Sequence, residues 1–162
     1  MTHVALHRSD GAVLAVGGLL PVGLGQRRHF DRVAHELEQR WGGLDGALHA
    51  VAFAPRAALA GAFLDADQGA VDRAFVASTY SYAALARLLA ALAPSTGGAL
   101  VGLDFDAAGA WPVYNWMGVC KAALESASRY VARDLGPAGI RSNLVAAGPL
   151  HTRAAGGIPE FE

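Results

Sequence analysis

Lysine is almost missing from this 162-residue chain: Lys121 stands alone, and arginine fills the other 12 basic positions. Cysteine is as scarce, and the single Cys120 excludes an internal disulfide framework and any cysteine-rich zinc site. There is no basic excess either. Thirteen basic and 14 acidic side chains leave a formal charge of -1, which argues against nucleic acid as a partner held by phosphate neutralisation. Residues 11–25 carry no charge, but they are broken by five glycines and Pro21 and fall short of the roughly 20 residues that span a bilayer. Asp10 precedes this run, Arg27 and Arg28 follow it, and no small-x-small cleavage site is evident, so it reads as a buried strand with a glycine-rich turn. A cytoplasmic chain with no membrane association is the expectation. Apolar residues are plentiful at 53%, enough for one compact domain and incompatible with a disordered tail.

Periodicity divides the rest. Residues 29–41 predict an amphipathic helix, with Phe30, Val33, Ala34, Leu37 and Trp41 on one side and Gly42-Gly43 ending it. Residues 48–53, 99–105 and 142–147 are short apolar runs that predict strands; residues 68–92 and 116–135 predict long helices. Pro94 to Gly98 breaks the first long helix and Gly136-Pro137 closes the second. Helices alternating with apolar strands predict an α/β fold with a parallel sheet covered by helices on both faces. In such a sheet ligands bind beyond the carboxyl ends of the strands, which points to the residues after Phe53, Phe105 and Ala147.

The second of these ends leads into Tyr114 and Lys121, seven residues apart. On a helix, seven residues come within about 20° of two whole turns, so both can project from one face, with Cα atoms about 10 Å apart. A phenol beside an ammonium is a hydrogen-bond donor suited to a developing negative charge, and the cation is expected to lower the phenol's pKa. Spacing alone leaves a chance pairing open. The lone lysine favours the functional reading, because a composition that avoids lysine has kept an ammonium where a planar guanidinium could have stood. The third end, Ala147-Gly148-Pro149, is a tight exit from a strand, either a plain turn or a place where backbone approaches a ligand. His49 lacks an acidic or histidine neighbour in sequence and reads as strand packing; Cys120, about 100° around the helix from Lys121, reads as a core thiol.

Several stretches together carry a resemblance: Leu44-Asp45-Gly46 with His49 to Pro55, Ser78 to Tyr82, Gly102 to Asp106, Pro112 to Gly118 with Lys121 to Glu125, and Arg141 to Leu150. From about residue 29 to the end, the chain resembles the enoyl-acyl carrier protein reductase family, a branch of the short-chain dehydrogenase/reductase superfamily. The Tyr-x6-Lys spacing with the Ala-Gly-Pro exit separates that branch from general short-chain dehydrogenases, which use Tyr-x3-Lys. The resemblance implies an α/β fold, a partial Rossmann-like, doubly wound parallel sheet flanked by helices, and transfer of hydride from NADH to an enoyl thioester on acyl carrier protein in fatty acid biosynthesis.

By position, the resemblance implies that Tyr114 donates to the thioester carbonyl and that Lys121 holds the nicotinamide ribose. Phe105 flanks nicotinamide and substrate, and Met117 lines the acyl pocket. Val51, Phe53, Gly148, Leu150 and Thr152 contact NADH/NAD. Association into a homo-oligomer, a tetramer in the family, is implied through the two long helices.

The departures are equally plain. Ala50 and Ala52 stand where the family motif has serine and glycine, and Gly17-Gly18 and Gly23-x-Gly25 do not reproduce the glycine-rich phosphate turn. Residues 1–28 are therefore expected to form an atypical segment ahead of a single Rossmann-like portion at 29–162, shortened at both ends. A non-catalytic interaction module, or a reductase on another enoyl or carbonyl substrate, are the alternative readings.

Overall fold

The computed structural model describes residues 3–8, 12–17 and 27–148. Strands β1 (His3–Arg8) and β2 (Ala12–Gly17) precede helix α1 (Arg27–Trp41) and strand β3 (Gly46–Ala50). A short helix α2 (Arg56–Leu59) and a 3-10 turn (Phe63–Asp65) lead into α3 (Gln68–Phe75), a π turn (Val76–Tyr80) and α4 (Ser81–Leu92). Strand β4 (Gly98–Asp104), helix α5 (Asn115–Leu135) and strand β5 (Ile140–Ala146) complete the order. The sheet has five strands in the order β1-β2-β3-β4-β5. β2 through β5 run parallel, and β1 pairs antiparallel with β2.

The α/β, Rossmann-like reading agrees with this architecture, and the structure adds a hairpin that periodicity did not reveal. The run at 11–25 does contain a strand, β2, and it hydrogen-bonds to β3 with Val13 opposite Gly46. Every strand in the second half begins one or two residues earlier than its apolar run. One expectation changes more substantially. Leu100, Gly102 and Asp104 of β4 are buried, whereas Leu103 is 39% exposed and its partner in register, Val145, is 51% exposed. Burial alternates because, among the described residues, the helices lie on one face of the sheet. The opposite face carries Leu48, Val101, Leu103 and Val145, and the second helical layer of a doubly wound sheet is not among those residues.

The core sits between the sheet face that carries Ala47 and Leu100 and helices α1, α4 and α5. Leu37, Leu44, Tyr82, Leu85, Leu89, Leu100, Leu124 and Ile140 pack together there. Full burial of each such side chain contributes about 1.5–3 kcal/mol relative to exposure. Tyr82 is fully buried and its hydroxyl meets Ser142 Oγ at 2.7 Å, which satisfies the one polar atom it brings inside. Gly102 is required beneath it: an added Cβ would stand 2.6 Å from Leu144 Cδ2 and 2.9 Å from Tyr82 Cε2. Gln68–Leu92 runs helical without a break and is long and apolar enough, at mean hydropathy 1.3, to cross a membrane by length and composition alone; Tyr82, Leu85 and Leu89 of this run lie in the core.

The π turn sits in the middle of that run. Its extra residue per turn breaks the helical phase, which is why a single 3.6-residue period does not describe the whole stretch. The two buried hydroxyls in the turn, on Ser78 and Thr79, are put to use. Ser78 Oγ accepts from Phe53 N at 2.9 Å and donates to Phe53 O at 3.0 Å, fixing the loop that leaves β3. Thr79 Oγ1 donates to the Cys120 carbonyl on α5 at 2.8 Å.

Candidate active site

The carboxyl end of β4 and the first turns of α5 form the site. Tyr114 is the N-cap of α5 and is half-buried, with its ring 5.0 Å from that of Phe105 at 53°. Phe105 in turn meets Trp111 edge-on at 5.8 Å, and Trp111 Nε1 donates to the Asp106 carbonyl at 2.8 Å. Two turns along α5, Lys121 is buried. Its Nζ donates to the Leu103 carbonyl at 2.7 Å and lies 3.9 Å from Asp104 Oδ1. The Asp104 charge acts on the titration of both Tyr114 and Lys121.

The electrostatic expectation is corrected. Tyr114 is pushed up to about 12, first by burial and then by the charges of Asp104 and Cys120; Lys121 is not among the causes. Burial depresses Lys121 while Asp104 opposes that, and burial raises Asp104 against the pull of the Phe105 N–H and Lys121. The ammonium is turned toward strand backbone and carboxylate rather than toward the phenol. Tyr114 therefore remains a neutral donor at physiological pH.

His49 borders the same cluster. Ser81 Oγ donates to the Ala77 carbonyl at 2.7 Å, so the 2.7 Å contact between His49 Nε2 and Ser81 Oγ must carry the ring's proton. Nδ1 is then a bare acceptor, and among the described residues neither it nor Asp104 Oδ1 has a hydrogen-bond partner. The strand-packing reading of His49 agrees with its 1% exposure and its edge-on contact with Tyr82 at 5.4 Å. Burial, reinforced by the Lys121 charge, lowers its pKa to about 4 from 6.5. Because the folded value lies below the unfolded one, stability is complete above pH 6.5 and is lost as pH falls toward 4. The ceiling on that loss is about 3 kcal/mol. Urea unfolding at neutral and mildly acidic pH should show it, and His49→Gln should flatten the difference; an unaltered pH dependence in the variant would contradict a buried neutral ring.

The other sequence-predicted residues fall in distinct places. Val51 is buried at 2% exposure, and both backbone polar groups of Phe53 are taken by Ser78. Met117 is buried with Ala58, Ala70, Ala74 and Cys120 in a second apolar cluster against which Tyr114 packs. Cys120 is thus a core thiol. Gly148 is exposed just beyond β5, whereas Leu150 and Thr152 lie outside the described residues. Sequence reasoning assigned no role to Asp104, Ser78, Thr79 or Asn115. An acidic residue closing an apolar strand could have marked Asp104.

A nicotinamide dinucleotide is testable here by donor chemistry at one end. A buried ammonium with protons beyond the one given to Leu103, next to the Asp104 carboxylate, suits the paired hydroxyls of a ribose. The residues expected at the carboxamide and pyrophosphate, Leu150 and Thr152, are outside the described residues.

Comparison with known proteins bears on the whole chain. The family model described as enoyl-(acyl carrier protein) reductase matches residues 6–162. Over 144 residues the chain is 40% identical to an enoyl-acyl-carrier-protein reductase (NADH) of Mycolicibacterium smegmatis, covering 86% of this chain and 53% of that protein. It is 47% identical over 115 residues to the protein of that description from Mycobacterium avium, covering 71% and 42% respectively. With the enoyl-acyl-carrier-protein reductase (NADH) of Neisseria meningitidis serogroup B it shares 42% identity over 134 residues, 82% of this chain and 51% of the relative. The chain spans about half the length of the curated relatives it matches. A match over nearly every residue, reaching through both Tyr114 and Lys121, means that the chain belongs to the enoyl-(acyl carrier protein) reductase family.

Proposed function

We infer that this chain carries the hydrogen-bonding machinery of an NADH-dependent enoyl-acyl carrier protein reductase of fatty acid biosynthesis. The observation that supports it best is the end of β4, where Asp104 meets Lys121 and the next residue, Phe105, packs against the ring of Tyr114. Bound NADH supplies the hydride that reduces the C2=C3 bond of the enoyl thioester. Tyr114, kept protonated by a pKa of about 12, donates to the thioester carbonyl as negative charge builds on that oxygen. Because the phenol is half-buried against Phe105, little water competes for its proton. Lys121 offers its free N–H groups to the ribose hydroxyls while Leu103 and Asp104 keep its position.

The supporting cast is proposed on the same basis. Val51, Phe53, Gly148, Leu150 and Thr152 contact the dinucleotide, and Met117 with Phe105 faces the acyl chain. The substrate is borne on acyl carrier protein, and the setting is cytoplasmic. Exposed Phe75, Val76 and Val119 on α3, the π turn and α5 support association of copies along these helices. Residues 29–162 form the reductase portion and residues 1–28 an atypical segment joined to its sheet.

A thermal-shift titration tests the reading. NADH at 100 times its dissociation constant should stabilise the chain by about 2.7 kcal/mol, raising the melting midpoint by about 5–10 °C, and NADH should be consumed when an enoyl thioester is added. A folded chain with neither a shift nor consumption at millimolar NADH would overturn it and leave the interaction-module reading.

A further inference from the structure

The residues on either side of Tyr114 both adopt backbone conformations that side chains rarely take: Val113 has φ 53° and Asn115 has φ 37°. A left-handed, β-branched valine persists only where surrounding contacts over-determine it. On the Asn115 side, contacts come from one loop. Asn115 Nδ2 donates to the Leu59 carbonyl at 2.7 Å and to the Gly61 carbonyl at 3.1 Å. Both partners can only accept, so the amide's NH2 and not its oxygen faces the loop. The next residue repeats the attachment. Trp116 Nε1 donates to the Phe63 carbonyl at 3.1 Å, and the indole stacks on Phe63 at 4.7 Å and 15°. The loop at 59–63 is thus fastened to two consecutive residues at the start of α5, immediately after the phenol.

We propose that Asn115 is a positioning residue for Tyr114: by tying Leu59 and Gly61 to the start of α5, it sets the direction in which the phenol points. The inference rests on the reading of Tyr114 as the hydrogen-bond donor and adds what fixes its aim. Asparagine suits the position twice over, since it tolerates left-handed backbone better than other side chains and its amide supplies two protons at once.

Asn115→Gly separates these roles, because it keeps the backbone conformation and removes both donors. Trp116→Phe is a milder second variant that keeps the stack and removes one donor. In the chain carrying 13C-labelled tyrosine, the ring resonances of Tyr114 are assigned by their loss in Tyr114→Phe and respond to the Phe105 ring 5.0 Å away. Asn115→Gly should shift or broaden the Tyr114 resonances and leave Tyr80, Tyr82 and Tyr130 in place, with a smaller change of the same kind in Trp116→Phe. Unmoved Tyr114 resonances, or all four tyrosines shifting together, would overturn the inference.

Turnover gives the second readout. Asn115→Gly should lower kcat about tenfold with NADH affinity kept, and should have almost no further effect in a Tyr114→Phe background, because it acts through the phenol. Additive losses would also overturn it. If Tyr114→Phe turns over like the parent, the reading of Tyr114 as donor is what fails, and the tyrosine spectra still decide whether Asn115 positions the ring.

Discussion

Tyr114→Phe should lower turnover of an enoyl thioester by about 10²–10³-fold while NADH binds as before. Phenylalanine keeps the ring that packs on Phe105 at 5.0 Å and removes only the proton. The size of the effect follows from where the hydroxyl sits. A donor already held in a half-buried site does not have to reorganise when charge appears on the substrate oxygen, so its loss falls on the transition state rather than on binding. Steady-state rates of NADH consumption beside NADH titrations of both proteins check it. Unchanged turnover, or lost turnover accompanied by lost cofactor affinity, would remove the phenol from the role assigned to it.

Lys121→Met should cost stability as well as cofactor affinity. Lys121 and Asp104 have side chains only 6% and 4% exposed, and the ammonium also satisfies the Leu103 carbonyl. Removing one member of a buried pair leaves the other without compensation. At the low end for such pairs, because the contact is long, the loss is about 3 kcal/mol, or about 6–12 °C in melting midpoint. The sign of its pH dependence is fixed by Asp104. A carboxyl whose folded pKa is raised contributes stability that is full below 3.8 and is lost as pH rises through the folded value. Taking away the cation that holds this carboxyl down extends that window upward, so the deficit of Lys121→Met should be widest at neutral pH and narrow on acidification. Melting curves at mildly alkaline and mildly acidic pH decide; equal deficits at both would show that Asp104 does not depend on Lys121.

How much of this was legible beforehand depended on whether the signal was local. Amphipathic spacing placed α1 and α5 within two residues of their ends, and apolar runs placed β4 and β5 with similar error and β3 within three residues. β1 was missed because His3, His7 and Arg8 dilute its apolar character, leaving no run to recognise. The Tyr114–Lys121 pair could be singled out as a candidate from spacing and from the singularity of the lysine. Its electrostatics could not, because burial and the Asp104 carboxyl, which govern both groups, are properties of the folded arrangement. Asn115 escaped for a related reason: its partners, Leu59 and Gly61, are backbone carbonyls more than 50 positions away and leave no trace in side-chain chemistry.

The π turn at Val76–Tyr80 gives the long run two independent rotational settings. One residue of offset turns everything downstream by about 100° about the axis, so the segments before and after need not present the same side. Upstream, Ala70 and Ala74 press on Met117 and Cys120; downstream, Tyr82, Leu85 and Leu89 press on the sheet. Shortening the turn by one residue would restore an unbroken spiral and dial Ser81 and Tyr82 away from His49 and Ser142. In this chain the irregular turn acts as the coupling that lets one rod serve two surfaces.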